Sequence, residues 1–261
     1  MKDQVIIVPV HGQLPYLKVC VESIYAKTVN PKLIIVDDCS PDDGTYEWIR
    51  DNADKYGYEW INHPTQAFGF TKSVNDGIKF AQEHYDFDCL CLLNSDTEII
   101  TDGWFRKVEW YFLNGDKVGI ASVMSDNALA QTVKNFGEYM ANIDHKPAVY
   151  SVLLHGFCYF IGKQLLSEIG LLDEVMFPHY GSEDDYSLSS MQAGYKNLLV
   201  GRVFVHHANS KSYSEKQRQQ IILKSFPDIN KKWGRGIVNR CGNITVKAGS
   251  YLNNYKRHAK M

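Results

Sequence analysis

The chain has 261 residues, of which 44% are hydrophobic, 13% aromatic and 22% charged, and its formal net charge is −2. A chain of this length and composition can bury a large core, so we expect one α/β domain, alone or with an appendage, and neither a disordered nor a fibrous protein. No apolar run approaches the roughly 18 residues that span a bilayer, and the start resembles a strand more than a signal peptide.

The charge is distributed unevenly along the chain. Residues 211–261 contain 12 Lys and Arg against 2 Asp and Glu, whereas the preceding residues contain 16 against 28. This asymmetry predicts a basic C-terminal extension that is electrostatically separate from an acidic domain. Packing against the acidic part of the chain or of a neighbouring subunit is preferred for the extension over contact with an anionic membrane or an acidic polymer. Trp233 and Tyr251 interleave with Lys and Arg there, but no nucleic-acid-reading motif accompanies them, so nucleic acid is not the expected partner.

Two of the six cysteines, Cys89 and Cys91, are spaced C-x-C without a second pair at zinc-like spacing. We therefore interpret them as part of a buried strand and not as a metal site. Several cysteines lie in apolar stretches, where a free thiol behaves as a small hydrophobic group. This usage favours a reducing, cytoplasmic compartment.

Apolar runs of strand length alternate with segments of helical periodicity over the first 93 residues. The pattern predicts strands at Val5–Val10, Leu33–Val36, Glu59–Asn62 and Cys89–Leu93, separated by helices over Leu14–Ile24, Thr45–Tyr56 and Lys72–Glu83. Such alternation is typical of a mostly parallel, buried sheet flanked by helices.

The pattern is less regular after Asp96. A helix is predicted near Trp104–Leu113, and strands are predicted near Val118–Val123 and Leu198–Val205. Tyr139–Leu154 is compatible with strands around Lys146-Pro147. From Tyr213 onward the chain is predicted to be helical.

Polar residues follow three of the predicted strands directly. Asp37-Asp38 follows the second strand, Asn94-Ser95-Asp96 follows the fourth, and His206-His207 follows the last. Ligands of an open parallel sheet bind beyond the carboxyl ends of its strands, so these residues are candidates for function. Together they offer oxygen and imidazole ligands suited to Mg²⁺ or Mn²⁺ and to the polar edge of a nucleoside. Turn formation by Asp37-Asp38 and capping by Asp96 are the competing interpretations.

The first strand is followed by His11-Gly12-Gln13-Leu14-Pro15, which matches neither G-x-G-x-x-G nor the P-loop motif. A dinucleotide-dependent dehydrogenase or a P-loop enzyme is therefore not expected. Without a glycine-rich cradle, the charge of a pyrophosphate needs another partner, and a divalent cation held by carboxylates supplies one.

The densest acidic run is Glu183-Asp184-Asp185, at the predicted start of a helix. Compensation of the helix dipole explains acids at this position, with about 0.3–1 kcal/mol for an exposed one. Adjacent carboxylates also repel one another, and together with burial this repulsion raises a pKa toward the range of a general base. Both interpretations remain open from the residues alone.

These segments resemble family 2 of the inverting glycosyltransferases, which have the GT-A fold, a Rossmann-like α/β architecture. The resemblance runs from about Val5 to Ser212 and implies a catalytic domain over residues 1–212, followed by a basic, mainly helical extension over 213–261. It is carried by Val8-Pro9-Val10, Ile35 to Ser40, Gly69 to Ile78, Leu92 to Glu98, His155-Gly156-Phe157, Gly170 to Glu174, Glu183 to Tyr195 and Val205-His206-His207.

The resemblance also implies roles for single residues. Asp96 and His207 would hold a divalent metal, Mn²⁺ or Mg²⁺, and Asp184 would deprotonate the acceptor, with Glu183 and Asp185 as alternatives. The donor-binding residues would be Pro9, Val10, Asp37, Asp38, Lys72, Asn94, Ser95, Asp96 and Gly156.

The implied reaction moves a sugar from a nucleoside-diphosphate sugar onto a hydroxyl of a glycan or other surface polymer, as a hexosyltransferase does. A UDP- or dTDP-sugar is the expected donor, and the enzyme is expected in the cytoplasm or peripheral to the membrane. Asn94 replaces the first acid of the family's D-x-D motif, and Ser189 or Ser190 stands where a basic residue is usual. These departures favour, as the alternative, a catalytically inactive nucleotide- or glycan-binding module. Nucleotidyl transfer is not expected, because the Gly-rich, Arg-containing loop is absent.

Overall fold

Nine strands form one mixed sheet in the computed structural model, which describes residues 2–128, 131–208, 223 and 227–234. The strand order is β3-β2-β1-β4-β8-β6-β9-β5, and β7 also pairs with β9. The strands are β1 (Gln4–Val10), β2 (Pro31–Asp37), β3 (Glu59–Asn62), β4 (Cys89–Leu93), β5 (Thr97–Ile99), β6 (Val118–Met124), β7 (Ala148–Tyr150), β8 (Cys158–Gly162) and β9 (Lys196–His207).

The first half of the sheet is parallel, because β3, β2, β1 and β4 run in the same direction. The strands β8, β5 and β7 add antiparallel pairings, while β6 and β9 pair in parallel. Helices connect and cover the strands: α1 (Leu14–Lys27), α2 (Thr45–Tyr56), α3 (Phe70–His84), α4 (Trp104–Asn114), α5 (Phe136–Ala141), α6 (Lys163–Ile169) and α7 (Ser182–Gln192).

Both faces of the central strands β1 and β4 are buried, which explains why these strands are continuously apolar. In β1, Ile6 and Val8 pack on one side with residues of α1 and α4 such as Trp104. Val5 and Ile7 pack on the other side with residues of α3, α6 and α7. Since successive residues of a strand point to opposite faces, a strand covered on both sides must be apolar at every position.

The structure confirms the predicted α/β architecture and adds elements that the sequence patterns did not reveal. The additional elements are β5, α5, β8 and α6. Within Tyr139–Leu154, the strand after Lys146-Pro147 is present as β7, but the preceding residues continue the helix α5 and a 3₁₀ turn. Asn135 starts α5, because its side chain accepts a hydrogen bond from Glu138 N.

Only part of the predicted C-terminal extension lies within the described residues. Residues 227–233 are helical, as predicted. The remaining prediction for 213–261 lies outside the described residues, apart from residue 223. Among the residues that are described, no helix combines the length and the apolar character needed to cross a bilayer.

Candidate functional site

The candidate metal ligands Asp96 and His207 lie side by side. Asp96 follows β4, and the next strand, β5, pairs antiparallel with the end of β9, so that Thr97 lies opposite His207. The main-chain oxygen of Asp96 accepts a hydrogen bond from Ala208 N at 3.0 Å. As a result, His207 Nε2 is 3.4 Å from Asp96 Oδ1.

The surroundings of the His207 ring suit a metal ligand. Its Nδ1 is 3.1 Å from the main-chain oxygen of Asn127, which can only accept, so the proton of the neutral ring resides on Nδ1. Nε2 is buried and has no hydrogen-bond partner among the described residues. In this tautomer Nε2 carries a free lone pair beside the Asp96 carboxylate, an arrangement that a divalent cation would stabilise.

These two side chains fit a Mg²⁺ or Mn²⁺ ion that is shared with a substrate. In the described part of the chain, no group of three or more His, Cys, Asp or Glu could hold a metal ion. Ions of this kind are commonly bound by one or two protein carboxylates together with substrate phosphates and water. A pair of protein ligands would therefore leave most coordination positions to phosphate oxygens and water.

The acids Glu183, Asp184 and Asp185 form the first turn of α7, as predicted. Burial, together with the charges of Glu183 and Asp185, raises the pKa of Asp184 to about 7. Burial also raises the pKa of Glu183, whose carboxylate accepts a hydrogen bond from Ser182 Oγ at 3.1 Å. Asp184 thus changes its protonation state near neutral pH, as a general base should.

The short loop before β8 connects the metal pair with this acidic turn. The ring of Phe157 stacks on the ring of His207, with 5.0 Å between their centroids. The main-chain oxygen of Phe157 accepts a hydrogen bond from Asn94 N at 2.9 Å. The neighbouring Gly156 faces Glu183 so closely that a Cβ at this position would lie 2.2 Å from the Glu183 Oε1 atom. One loop therefore contacts both halves of the candidate site.

The predicted donor-binding residues of β1 and β2 lie at one edge of the sheet. Pro9 and Val10 are buried and are in register with Val36 and Asp37. Asp38 N donates a hydrogen bond to Val10 O at 2.8 Å, which holds the two strand ends together. Because β1 separates β2 from β4, the end of β2 is about two strand spacings, roughly 10 Å, from the end of β4 that leads to Asp96, and the end of β1 is one spacing away.

Asp37 and Asp38 have different partners. Asp37 is buried and accepts a hydrogen bond from Ser40 N at 3.2 Å, and burial raises its pKa. The carboxylate of Asp38 accepts hydrogen bonds from Phe68 N at 2.8 Å and Gly69 N at 2.7 Å. Turn formation is thus present at Asp37, whereas Asp38 holds the loop before α3 against the end of β2. Contact of either residue with a donor stays a prediction.

Sequence patterns did not single out the ionic network around Asp38. His63 lies between two carboxylates, with Nδ1 2.9 Å from Asp38 Oδ1 and Nε2 3.0 Å from Asp76 Oδ2. Asp76 also pairs with Lys72, one helical turn earlier in α3. Lys72, a predicted donor contact, is therefore held at the same edge as Asp38. The i, i+4 spacing of Lys72 and Asp76 was a usable signal in the sequence, but nothing local indicated His63.

Gly69 connects this edge with the loop that precedes α7. Its φ is +97°, and a Cβ at this position would lie 2.5 Å from the main-chain oxygen of Pro178. That oxygen also accepts a hydrogen bond from Thr71 N at 3.1 Å. An alanine would therefore combine backbone strain with a clash against main-chain atoms.

We expect Gly69→Ala to lower the free energy of unfolding by about 2–3 kcal/mol, measured by denaturant titration. The matched control is Gly103→Ala, because Gly103 has a φ of +62° and a Cβ there would meet nothing within 4 Å. The control should lose only the cost of the left-handed backbone, about 1 kcal/mol. Equal losses in the two variants would contradict a close contact at Gly69.

Residues 5–151 match the family model described as "Glycosyl transferase family 2". A search of curated proteins found the Uncharacterized protein y4gI of Sinorhizobium fredii (strain NBRC 101917 / NGR234), which is 23% identical over 251 residues. The aligned region covers 87% of this chain and 27% of that protein. The chain therefore spans only about a quarter of the length of this relative.

Two solved structures have a similar fold. The mannosyltransferase PcManGT from Pyrobaculum calidifontis, in complex with GDP-Man and Mn²⁺, superposes with a TM-score of 0.66 at 16% identity, covering 99% of this chain and 68% of that chain. GalNAc-T7 with UDP, GalNAc and Mn²⁺ superposes with a TM-score of 0.66 at 14% identity, covering 99% and 55%. These likenesses confirm the predicted GT-A type of fold. Since the family model matches more than half of its residues, the chain belongs to glycosyl transferase family 2.

Proposed function

We propose that the protein is an inverting, metal-assisted glycosyltransferase that moves a sugar from a nucleoside-diphosphate sugar to an acceptor hydroxyl. The observation that carries this proposal is the loop before β8, which contacts both the Asp96–His207 pair and the acidic start of α7. A site for a phosphate-bound cation and a carboxylate with a pKa of about 7 are thereby brought together. This combination of groups suits inverting transfer from a nucleotide sugar.

On the donor side, Asp96 and His207 would hold a divalent cation, which neutralises the charge that develops on the leaving diphosphate. Pro9, Val10 and Asp37 would contact the nucleoside at the edge formed by β1 and β2. The remaining predicted donor contacts are Asp38, Lys72, Asn94, Ser95 and Gly156. The complexes of PcManGT and GalNAc-T7 with nucleotides and Mn²⁺ support this assignment.

On the acceptor side, Asp184 would accept the proton of the attacking hydroxyl. The hydroxyl oxygen then forms a bond to the anomeric carbon as the bond from that carbon to the phosphate oxygen breaks. Attack from the side opposite the diphosphate inverts the configuration. The Glu183 side chain contacts Gly156, and the Asp185 carboxylate binds Lys232 and Trp233. Because the other two acids have these protein contacts, Asp184 is the proposed base.

We further propose a hexosyltransferase that uses a UDP- or dTDP-sugar and acts on a glycan or other surface polymer. The region over residues 125–154 and the C-terminal extension would form the acceptor side, since residues 227–234 reach the start of α7. Location in the cytoplasm, contact with a membrane surface and homo-oligomerisation stay predictions.

The test is a titration of the purified protein with UDP, GDP and dTDP, each with and without Mn²⁺. The heat of binding is measured by calorimetry, and the unfolding temperature is measured with and without each nucleotide. A ligand that binds only the folded state raises the unfolding temperature. We expect one nucleoside diphosphate to bind, and to bind more tightly with Mn²⁺. An absence of binding under all six conditions would reject the proposed donor site.

A catalytically inactive nucleotide- or glycan-binding module is the second candidate. It is favoured by one observation, the amide of Asn94 in place of a carboxylate at the turn that follows β4. With one fewer negative charge at the metal site, cation binding is weakened. Nucleotide binding without release of nucleoside diphosphate from any sugar nucleotide, with and without acceptors, would favour this second function.

A further inference from the structure

Asp185, the third acid of α7, is bound by residues from the C-terminal extension. Its side chain is only 4% exposed, so its charge needs protein partners. Lys232 Nζ lies 2.9 Å from Asp185 Oδ1 and 3.0 Å from Oδ2, and Trp233 Nε1 donates a hydrogen bond to Oδ1 at 2.7 Å. These partners are more than 40 residues away in the chain.

Lys232 also reaches a second element next to α7. Its ammonium lies 3.2 Å from Asp173 Oδ2 and 5.7 Å from the centroid of the Phe177 ring. Asp173 is part of the loop that leads from α6 toward α7, and its other carboxylate oxygen accepts a hydrogen bond from Met176 N. One cation therefore links this loop to the first turn of α7.

Trp233 is suited to anchor this contact. Its ring packs against the apolar cluster of Val152, Leu188 and Met191, of which two members lie on α7. Its indole N–H meanwhile binds the Asp185 carboxylate. An aromatic residue with an apolar body and one polar edge satisfies both requirements. Trp233 thereby contacts α7 at Asp185 in its first turn and at Leu188 and Met191 further along the helix.

Asp184 and Asp185 are neighbours on the helix, and their side chains point in directions about 100° apart. A displacement of Asp185 would therefore rotate or shift Asp184 as well. The opposite side of the same turn is held by β8, because Tyr159 Oη donates a hydrogen bond to the Glu183 main-chain oxygen at 3.1 Å. The first turn is thus fixed between the sheet and the C-terminal extension.

We propose that Lys232 and Trp233 are positioning residues, which hold Asp185 and thereby orient Asp184 toward the acceptor. This inference rests on the proposed function, since it takes Asp184 as the base. It also extends the catalytic unit beyond the boundary at residue 212 that the sequence indicates. The C-terminal extension then contributes to turnover in addition to carrying a positive charge.

The test compares Lys232→Met with Lys231→Met and Lys232→Arg in the 261-residue chain. Lys231 is the neighbouring lysine and serves as the matched control. We expect Lys232→Met to lower kcat about 10–100-fold, because a small misplacement of a catalytic group has effects of this size. The Kd of UDP with Mn²⁺ should stay within about twofold, since the metal pair is held by β5 and β9. Lys232→Arg should restore most of the activity.

A milder variant, Trp233→Phe, keeps the aromatic ring and removes only the N–H donor, so it should fold and should lower kcat in the same direction. Hydrogen exchange of the amides of residues 185–188, the first in α7 that have partners within the helix, provides a readout that does not depend on activity. Faster exchange in Lys232→Met, with Lys231→Met unchanged, supports the inference. Unchanged kcat and unchanged exchange in Lys232→Met, or a loss of kcat that Lys232→Arg does not restore, would overturn it.

The two proposals fail in different ways. If the wild-type protein binds no nucleotide and releases no product, the proposed function fails, and hydrogen exchange alone decides whether residues 232 and 233 position α7. If the wild-type protein is active and Asp184→Asn is inactive, a Lys232→Met variant that behaves like the wild type overturns only the present inference.

Discussion

Replacement of Asp184 by Asn is expected to lower kcat by about 10²–10⁴-fold while the Kd of the donor nucleotide stays within about twofold. The amide has nearly the same shape as the carboxylate but cannot accept the proton of the acceptor hydroxyl. The measurement is release of nucleoside diphosphate at saturating donor and acceptor, together with calorimetry of nucleotide binding. Retained turnover would reject Asp184 as the base.

The matched control for this variant is Glu183→Gln, the same chemical change one residue earlier. Glu183 is packed under Gly156 and bonds to Ser182, so its loss should lower kcat by less than about 10-fold. The reverse ranking, with Glu183→Gln inactive and Asp184→Asn active, would assign the base to Glu183.

The pH dependence of the wild-type enzyme follows from the same residue. Burial and the charges of Glu183 and Asp185 raise the pKa of Asp184 to about 7, and only the deprotonated carboxylate accepts a proton. We therefore expect kcat to rise with pH up to about 7 and then to level off. A profile that is flat between pH 5 and pH 8 would contradict this assignment.

Asp184→Asn should also change stability with a definite sign. A carboxyl whose pKa is raised in the folded state, from an ordinary 3.8 to about 7, destabilises that state once the pH exceeds the ordinary value, and the full penalty is reached above pH 7. The neutral amide removes this penalty. The unfolding temperature of the variant should therefore exceed that of the wild type at pH 8, with little difference at pH 4.

Loss of the metal pair is expected to have the second large effect. Asp96→Asn and His207→Gln should each weaken the Mn²⁺-dependent part of nucleotide binding by about 10–100-fold or more, because each removes one of the two proposed protein ligands. Nucleotide binding without metal should remain unchanged. The measurement is calorimetry of UDP, GDP and dTDP across a range of Mn²⁺ concentrations.

The control for this pair is His206→Gln, on the same strand. The His206 ring is partly exposed and contacts Asp126, and successive residues of a strand point to opposite faces, so His206 lies away from the His207 side of β9. The control should keep the Mn²⁺ response of the wild type. If His207→Gln also keeps this response, the metal is held elsewhere, and the assignment of Asp96 and His207 is wrong.

Several elements could be predicted because their patterns are local. The runs that became β1, β2 and β4 are apolar at nearly every position, and the segments that became α1, α2 and α3 have helical periodicity. The strand β5 was missed because three residues are too few for a periodicity, and it exists through its pairing with β9. The strand β8 is an equally apolar run, but α6 begins directly after it at Lys163. Without a loop between the two elements, the sequence pattern did not mark where the strand ends.

The sequence by itself determined the alternation of strands and helices, the polar residues at the strand ends and the acidic start of α7, because each depends on residues close in the chain. The tertiary structure decided how these groups differ in chemistry. The carbonyl of Asn127 sets the tautomer of His207, and Lys232 with Trp233 engages Asp185 and leaves Asp184 as the candidate base. Such contacts join residues tens of positions apart and form only when the sheet brings distant segments together. No local periodicity in the sequence encodes them.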